Sequence, residues 1–224
     1  MKNITLLFLL VSTLVFSQKS IITELGPFKE LKVFSGLTVR IKKAETARIE
    51  ITGKKNGEVV VKNINGRLKL SMRIPETFSG HDVDIILYYT DKLFLIDANE
   101  GSIVGAESTI KQQSLEIKVQ EGAVINVKVD VKYLIGKAVS GGQLIVKGVV
   151  ESQDLELTTG GIYTGYDLIS NQTYVTSSSG AVANVFVKEM LDAKVRLGGT
   201  IYYKGDPTDL TTKKIIGGTI KAKD

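Results

Sequence analysis

Few side chains in this sequence are equipped for chemistry, and the best-placed are three carboxylates. Glycoside hydrolysis needs two carboxyl groups on one face, about 5–9.5 Å apart depending on mechanism. In a frame where residues about one repeat apart stack, Asp154 and Asp192 share an outward column two coils apart. Strand spacing puts them about 10 Å from each other. Glu156 sits beside Asp154, and Thr173 falls on the intervening rung. Lys194 and Arg196 flank Asp192, so surface ion pairing of low energy competes with a catalytic role.

The remaining candidates are weaker. Glu100 and Glu121 each precede a glycine in similar settings, and stacked carboxylates repel or draw a cation such as calcium. A pair of solvated corner residues is the plainer reading, since the Asp-rich loops of calcium-binding solenoids are absent. His81, the single histidine, lies in the loop-like stretch PETFSGHD beside Asp82. Ser177, Ser178 and Ser179 lack the G-x-S-x-G setting of a nucleophile elbow. Tyr163, Tyr166, Tyr202 and Tyr203 offer aromatic surface for sugars, but alternation turns Tyr163 inward and puts Tyr202 and Tyr203 on opposite faces.

Composition narrows the field further. The 224 residues contain no cysteine, which excludes disulfides, thiolate metal sites and cysteine nucleophiles together. No catalytic residue, cofactor or metal ligand is assigned. The net charge of +5 comes from scattered lysines, in pairs such as Lys42-Lys43, Lys54-Lys55 and Lys213-Lys214 rather than tracts. Without aromatic interleaving, such a pattern does not fit nucleic-acid binding. It does leave acidic glycans or an anionic cell-envelope or host surface as partners.

The elements that must carry these residues are marked by glycines. Gly142, Gly161, Gly180, Gly199 and Gly218 are each 19 residues apart, and Gly101 and Gly122 extend the series backward. On the approach to each glycine, alternate residues read Leu155, Leu157, Thr159, then Tyr174, Thr176, Ser178, then Ala193, Val195, Leu197. Period-two alternation means strand, and a repeat of this length built only of strands and corners fits one coil of a parallel β-solenoid. Glycine belongs where the chain turns a corner with positive φ or where a Cβ has no room. The fold expected is all-β, a right-handed parallel β-helix of ~19-residue coils over residues 98–224.

Residues 18–97 have the same strand character without the register, and Asn56-Gly57 and Asn65-Gly66 are hairpin turns. They are read as an irregular N-terminal β cap and first coils, continuous with the solenoid. At the other end Lys221, Lys223 and Asp224 place charge on the last rung. Residues 1–17 read as a secretory signal peptide, with Lys2, an apolar run from Ile4 to Phe16 and a small residue at Ser17. That run is too short to span a bilayer, which takes about 20 residues, so export to the periplasm, cell surface or medium is expected, with no transmembrane segment after cleavage.

The opening FKELKV at Phe28–Val33, the GLTV at Gly36–Val39 and the glycine-marked coils behind a signal peptide resemble the head GIN domain family. This is a domain of unknown function in exported Bacteroidetes-type proteins, described as an auto-transporter adhesin. Its Gly-Ile-Asn signature is echoed by GAVIN at 122–126 and GAVAN at 180–184. The resemblance implies a parallel β-helix like that of pectin lyases without their catalytic residues, and cell adhesion. The expected function is a non-enzymatic binding module presenting a repetitive polar face. The alternative is a carbohydrate-active β-helix enzyme, a polysaccharide hydrolase or lyase, using Asp154, Glu156 and Asp192.

Overall fold

The structure, a computed structural model, describes residues 20–73 and 82–224. Residues 1–17, read above as a signal peptide, and His81 lie outside the described residues. Of the described residues 69% are strand, and they form a β-solenoid of about seven turns with coils of about 19 residues. Seventeen strands among the described residues join one sheet, and a 3-10 turn lies at Asn56–Glu58.

The solenoid does not climb at once. β1 (Ile21–Glu24), β2 (Glu30–Val33), β3 (Thr38–Lys43), β4 (Arg48–Gly53), β5 (Val59–Ile64), β6 (Arg67–Met72) and β7 (Val83–Tyr89) come first. β2 and β3 make the first coil, and β6 and β7 lie parallel along one edge of it. β4 and β1 extend β7, and β5 extends β6, all antiparallel. Only then does the chain cross to the other edge, where β8 (Leu95–Ala98) pairs with β2 and β9 (Ile103–Ala106) with β3.

From there each coil adds in parallel to the last. β10 (Ile110–Val119) lies on β8, and β11 (Val124–Ala138) on β9 and β10. β12 (Gln143–Leu157), β13 (Ile162–Ser178) and β14 (Val182–Arg196) follow in order. β15 (Thr200–Lys204) and β16 (Asp209–Ile215) both pair with β14, and β17 (Thr219–Ala222) closes the stack on β15. The long strands bend within themselves: in β11 Val131 and Leu134 are both buried while Lys132 and Tyr133 between them are exposed. Alternation fails at each bend because the inward side changes there.

The tight corner explains the glycines, with one correction. Each turn places two consecutive residues at positive φ: Glu121 and Gly122, Ser140 and Gly141, Thr159 and Gly160, Ser179 and Gly180, Leu197 and Gly198. This is a type I′ turn, whose second central position favours glycine. Gly142, Gly161 and Gly199 come one residue later. They are glycine because a Cβ would fall 2.1 Å from the carbonyl oxygen of Ala138 at Gly161, or of Ser177 at Gly199. Gly180 belongs to the turn column instead. The equal 19-residue steps through it arise because the coil from Gly160 to Gly180 is long by one and that from Gly180 to Gly198 short by one.

That offset moves one coil's side chains to the other face. Val175 and Ser177 point inward, stacked between Leu155 or Leu157 and Ala193 or Val195. Tyr174, expected inward, is outward and 42% exposed. Val149 is likewise outward and pairs with Asp130 and Ile169.

The core is a stack of Leu, Ile, Val and Ala with one polar inclusion. The buried Tyr163 hydroxyl donates to Gln153 Oε1 at 2.7 Å, and Gln153 Nε2 donates to the Thr173 hydroxyl at 2.9 Å. Ser170 closes the chain with Thr173 and the Phe186 carbonyl, both at 2.7 Å. Every member is satisfied, as buried polar groups must be. Burial pushes the Tyr163 phenol far above its ordinary value of 10.0. At the C-terminal end the inward column of Leu191, Ala193 and Val195 continues as Leu210, Thr212 and Lys214. A charge thus lies at the top of the core, one means of blunting an open edge.

Two expectations follow. Gly161→Val forces backbone apart at the Ala138 carbonyl and lowers unfolding free energy by about 1–3 kcal/mol, measured by denaturant titration. Tyr163→Phe orphans Gln153 Oε1 and costs about 1–3 kcal/mol at neutral pH. The phenol releases its proton near pH 10 in the unfolded chain but not in the folded one, so stability falls as pH rises beyond that value. Tyr163→Phe removes this part of the alkaline loss, read by comparing the two midpoints between pH 8 and 11.

Candidate functional site

The face formed by β6, β2, β8, β10, the second halves of β11 to β14, and β16 carries two outward columns. One runs Arg67, Glu30, Leu95, Glu116, Ile135, Asp154, Tyr174, Asp192, Thr211. Its neighbour, two residues along each strand, runs Lys69, Lys32, Asp97, Lys118, Lys137, Glu156, Thr176, Lys194, Lys213. Strand pairing fixes successive members about 4.8 Å apart. Flexible charged side chains are thereby held on a rigid lattice.

The acids and bases interleave. Arg67 meets Glu30 at 2.5 Å, Lys32 meets Asp97 at 3.0 Å, Lys118 meets Glu116 at 2.8 Å and Lys137 meets Glu156 at 3.2 Å. The Glu30 carboxylate pushes the Arg67 guanidinium up from its ordinary value. Lys69 lies 4.4 Å from the Phe34 ring centroid, and among the described residues no carboxylate pairs with it, with Lys194 or with Lys213. Over the two columns seven basic and six acidic side chains therefore nearly balance.

Asp97 differs from the rest. Its side chain is 6% exposed, and it accepts from Asn99 Nδ2 at 3.1 Å as well as from Lys32. Asn99 also donates to the Val33 carbonyl, and Gln120 donates to Asn99 Oδ1. These contacts brace the corner between the first coil and the next. Glu100 turns its carboxylate to the backbone N–H of Ser35 at 3.0 Å, toward the preceding coil. Glu100 and Glu121 are thus corner residues on adjacent rungs, and no group of three or more His, Cys, Asp or Glu side chains placed to hold a metal occurs among the described residues.

The three singled-out carboxylates do share this face. Asp154 and Asp192 occupy one column two rungs apart, but the residue between them is Tyr174. Thr173, expected there, is fully buried in the polar inclusion because of the one-residue offset. Glu156 is held by Lys137 on the preceding rung. An exposed tyrosine thus occupies the rung between the two aspartates, where a hydrolase would need room for a sugar and a water.

The opposite face is built from β7, β3, β9, the first halves of β11 to β14, β15 and β17. Tyr202 points outward there, while Tyr203 packs against the core. Lys204 lies 5.3 Å from the Tyr166 ring centroid and Lys223 lies 4.5 Å from that of Tyr202. Of the tyrosines considered as a sugar platform, only Tyr166 and Tyr202 are therefore available. The lysine column and Tyr174 were not evident beforehand, because neither has a local motif and both need the coil register.

The family described as "Putative auto-transporter adhesin, head GIN domain" matches residues 27–207. A structure titled a "putative adhesin" from Bacteroides fragilis superposes with a TM-score of 0.81 at 20% identity, covering 93% of this chain and 98% of its own. A "putative adhesin" from Parabacteroides distasonis gives 0.74 at 18% identity, with coverage of 92% and 97%. A "Putative lipid binding protein" from the same species gives 0.69 at 16% identity, with 93% and 98%. No curated protein matches the chain in sequence. No helix among the described residues is long and apolar enough to cross a membrane.

Burial separates the two kinds of carboxylate on this face. Asp97→Ala strips a nearly buried acceptor from Lys32 and Asn99 and costs about 1–3 kcal/mol. Glu156→Ala removes an exposed pair and changes stability by less than about 1 kcal/mol. Thermal or denaturant unfolding of the two variants side by side checks the difference.

Proposed function

Since the chain belongs to the head GIN domain family, described as auto-transporter adhesins, we propose that it is an exported, non-enzymatic adhesion module. It binds cell-envelope or host-surface components through its repetitive faces. The observation that supports this most is the pair of charged columns on the β2 face, locked in register over nine rungs from Arg67 to Thr211. A ligand that repeats along its length meets many weak polar contacts at once, and their sum gives avidity without a deep pocket. Rigid strands lose little entropy on binding, which favours such a surface.

The enzyme alternative draws less from the geometry. A hydrolase needs an acid and a base or nucleophile converging on one bond. Tyr174 stands between Asp154 and Asp192, and Glu156 is neutralised by Lys137. Export follows from the leader-like residues 1–17 and accords with the family's description.

The protein without residues 1–17 is expected to bind bacterial envelope fractions, host matrix or immobilised glycans, and to be released as salt rises, because exposed charge contacts are screened. Binding to none of these removes the adhesion reading. The same preparation should release no reducing ends from a glycan panel. Release that disappears in Asp154→Ala and Asp192→Ala variants establishes the enzyme instead.

A further inference from the structure

One strand glycine has no structural reason to be glycine. Gly105 in β9 is not at positive φ, and a Cβ there would meet only the Asn126 carbonyl oxygen, at an ordinary 3.8 Å. It stands in the outward column Ile86, Arg40, Gly105, Asn126, Ile145, Thr164, Asn184, Tyr202, Lys221, where every other member carries a side chain. The missing side chain opens a recess of about 360 Å³ on the β3 face.

The lining of that recess has a definite chemistry. Its lining is mainly apolar, with Ile103 40% exposed on the outward side of β9. Arg40 and Lys128 line it from the rungs on either side of Gly105, and neither has a carboxylate partner among the described residues. The other charges there are already matched: Glu107 pairs with Lys42 at 2.8 Å and Lys147 with Asp167 at 3.3 Å. Two unmatched cations beside an apolar lining complement an anion carried on a small apolar face. The guanidinium fork of Arg40 suits a carboxylate in particular. At about 360 Å³ and open on the β3 face, the recess is small for burying most of an acyl chain as a lipid pocket does. A ligand that stays mostly hydrated fits it, as a sugar ring does.

We propose that the Gly105 recess binds a uronic acid residue of an acidic polysaccharide. The ring lies over Ile103 beside the Gly105 backbone, and the carboxylate meets Arg40 and Lys128. The polymer continues along the same column toward Tyr202, five rungs away or about 24 Å by strand spacing. There Tyr166 and Tyr202 with Lys204 and Lys223 present aromatic and cationic surface. This rests on the adhesion reading and names its ligand class.

The test is calorimetric titration of the protein lacking residues 1–17 with polygalacturonate, polymannuronate, a neutral glucan and a sulfated polymer, for the wild type, Gly105→Val and Arg40→Gln. The recess has room for the valine, so Gly105→Val should keep the wild-type unfolding midpoint while weakening polyuronate binding about tenfold or more. Arg40→Gln should weaken it by about 10-fold or more through loss of a charge-assisted pair. Polyuronate binding that Gly105→Val leaves unchanged, or a sulfated polymer bound as tightly by all three proteins, overturns the recess site. If envelope material binds but no polyuronate does, the ligand assignment fails and the adhesion reading stands. If neither binds, both fail.

Discussion

The stacking of one corner on the next governs this molecule. At three successive type I′ turns the N–H of the glycine donates to the carbonyl of the turn residue one coil on: Gly122 to Ser140, Gly141 to Thr159, Gly160 to Ser179, at 3.1 Å each. The corner is thus both the sharpest bend and a rung-to-rung clamp. With it fixed, residues beyond it fall into register, and strand pairing carries that register around the coil. Residues in the first turn position, such as Thr159 and Leu197, are driven into the left-handed region although they are not glycine. That strain is tolerated because neighbouring corners determine the conformation on both sides.

Register turns sequence into surface. A parallel solenoid has no disulfides to lean on here, and its stability comes from narrow apolar columns and backbone ladders. The same ladder gives each outward residue a fixed neighbour above and below. Charges that would be loosely paired on a globular surface become lattices, as in the Lys32, Asp97, Lys118, Lys137 run. Binding through such a face draws on repetition, while the Gly105 recess breaks the repetition and marks one place where a ligand can be read more specifically. The ends are handled by other means. The N-terminal strands fold back antiparallel, and the last rung places Lys214 over the apolar column.

Period-two alternation and the glycine spacing made the solenoid and its coil length legible in the chain itself, because both express local rules: strands alternate and type I′ corners favour glycine. The cysteine-free composition also settled which chemistries are absent. Phase within a coil was another matter. A 20-residue coil followed by an 18-residue one leaves the glycine count intact, yet it turns Tyr174 outward and buries Thr173 and Ser177. Spacing alone cannot detect two errors that cancel.

The sequence by itself therefore determined the class of fold, the repeat and the kinds of side chain available. Only the tertiary structure decided which of them face each other. It placed Tyr174 between Asp154 and Asp192, gathered Gln153, Ser170, Thr173 and Tyr163 into one buried network, and set Gly105 between Arg40 and Asn126. The physical reason is that these neighbours are joined by hydrogen bonds between coils, across gaps of about one repeat. A single residue gained or lost at a bend, invisible in composition, shifts a side chain from one face to the other.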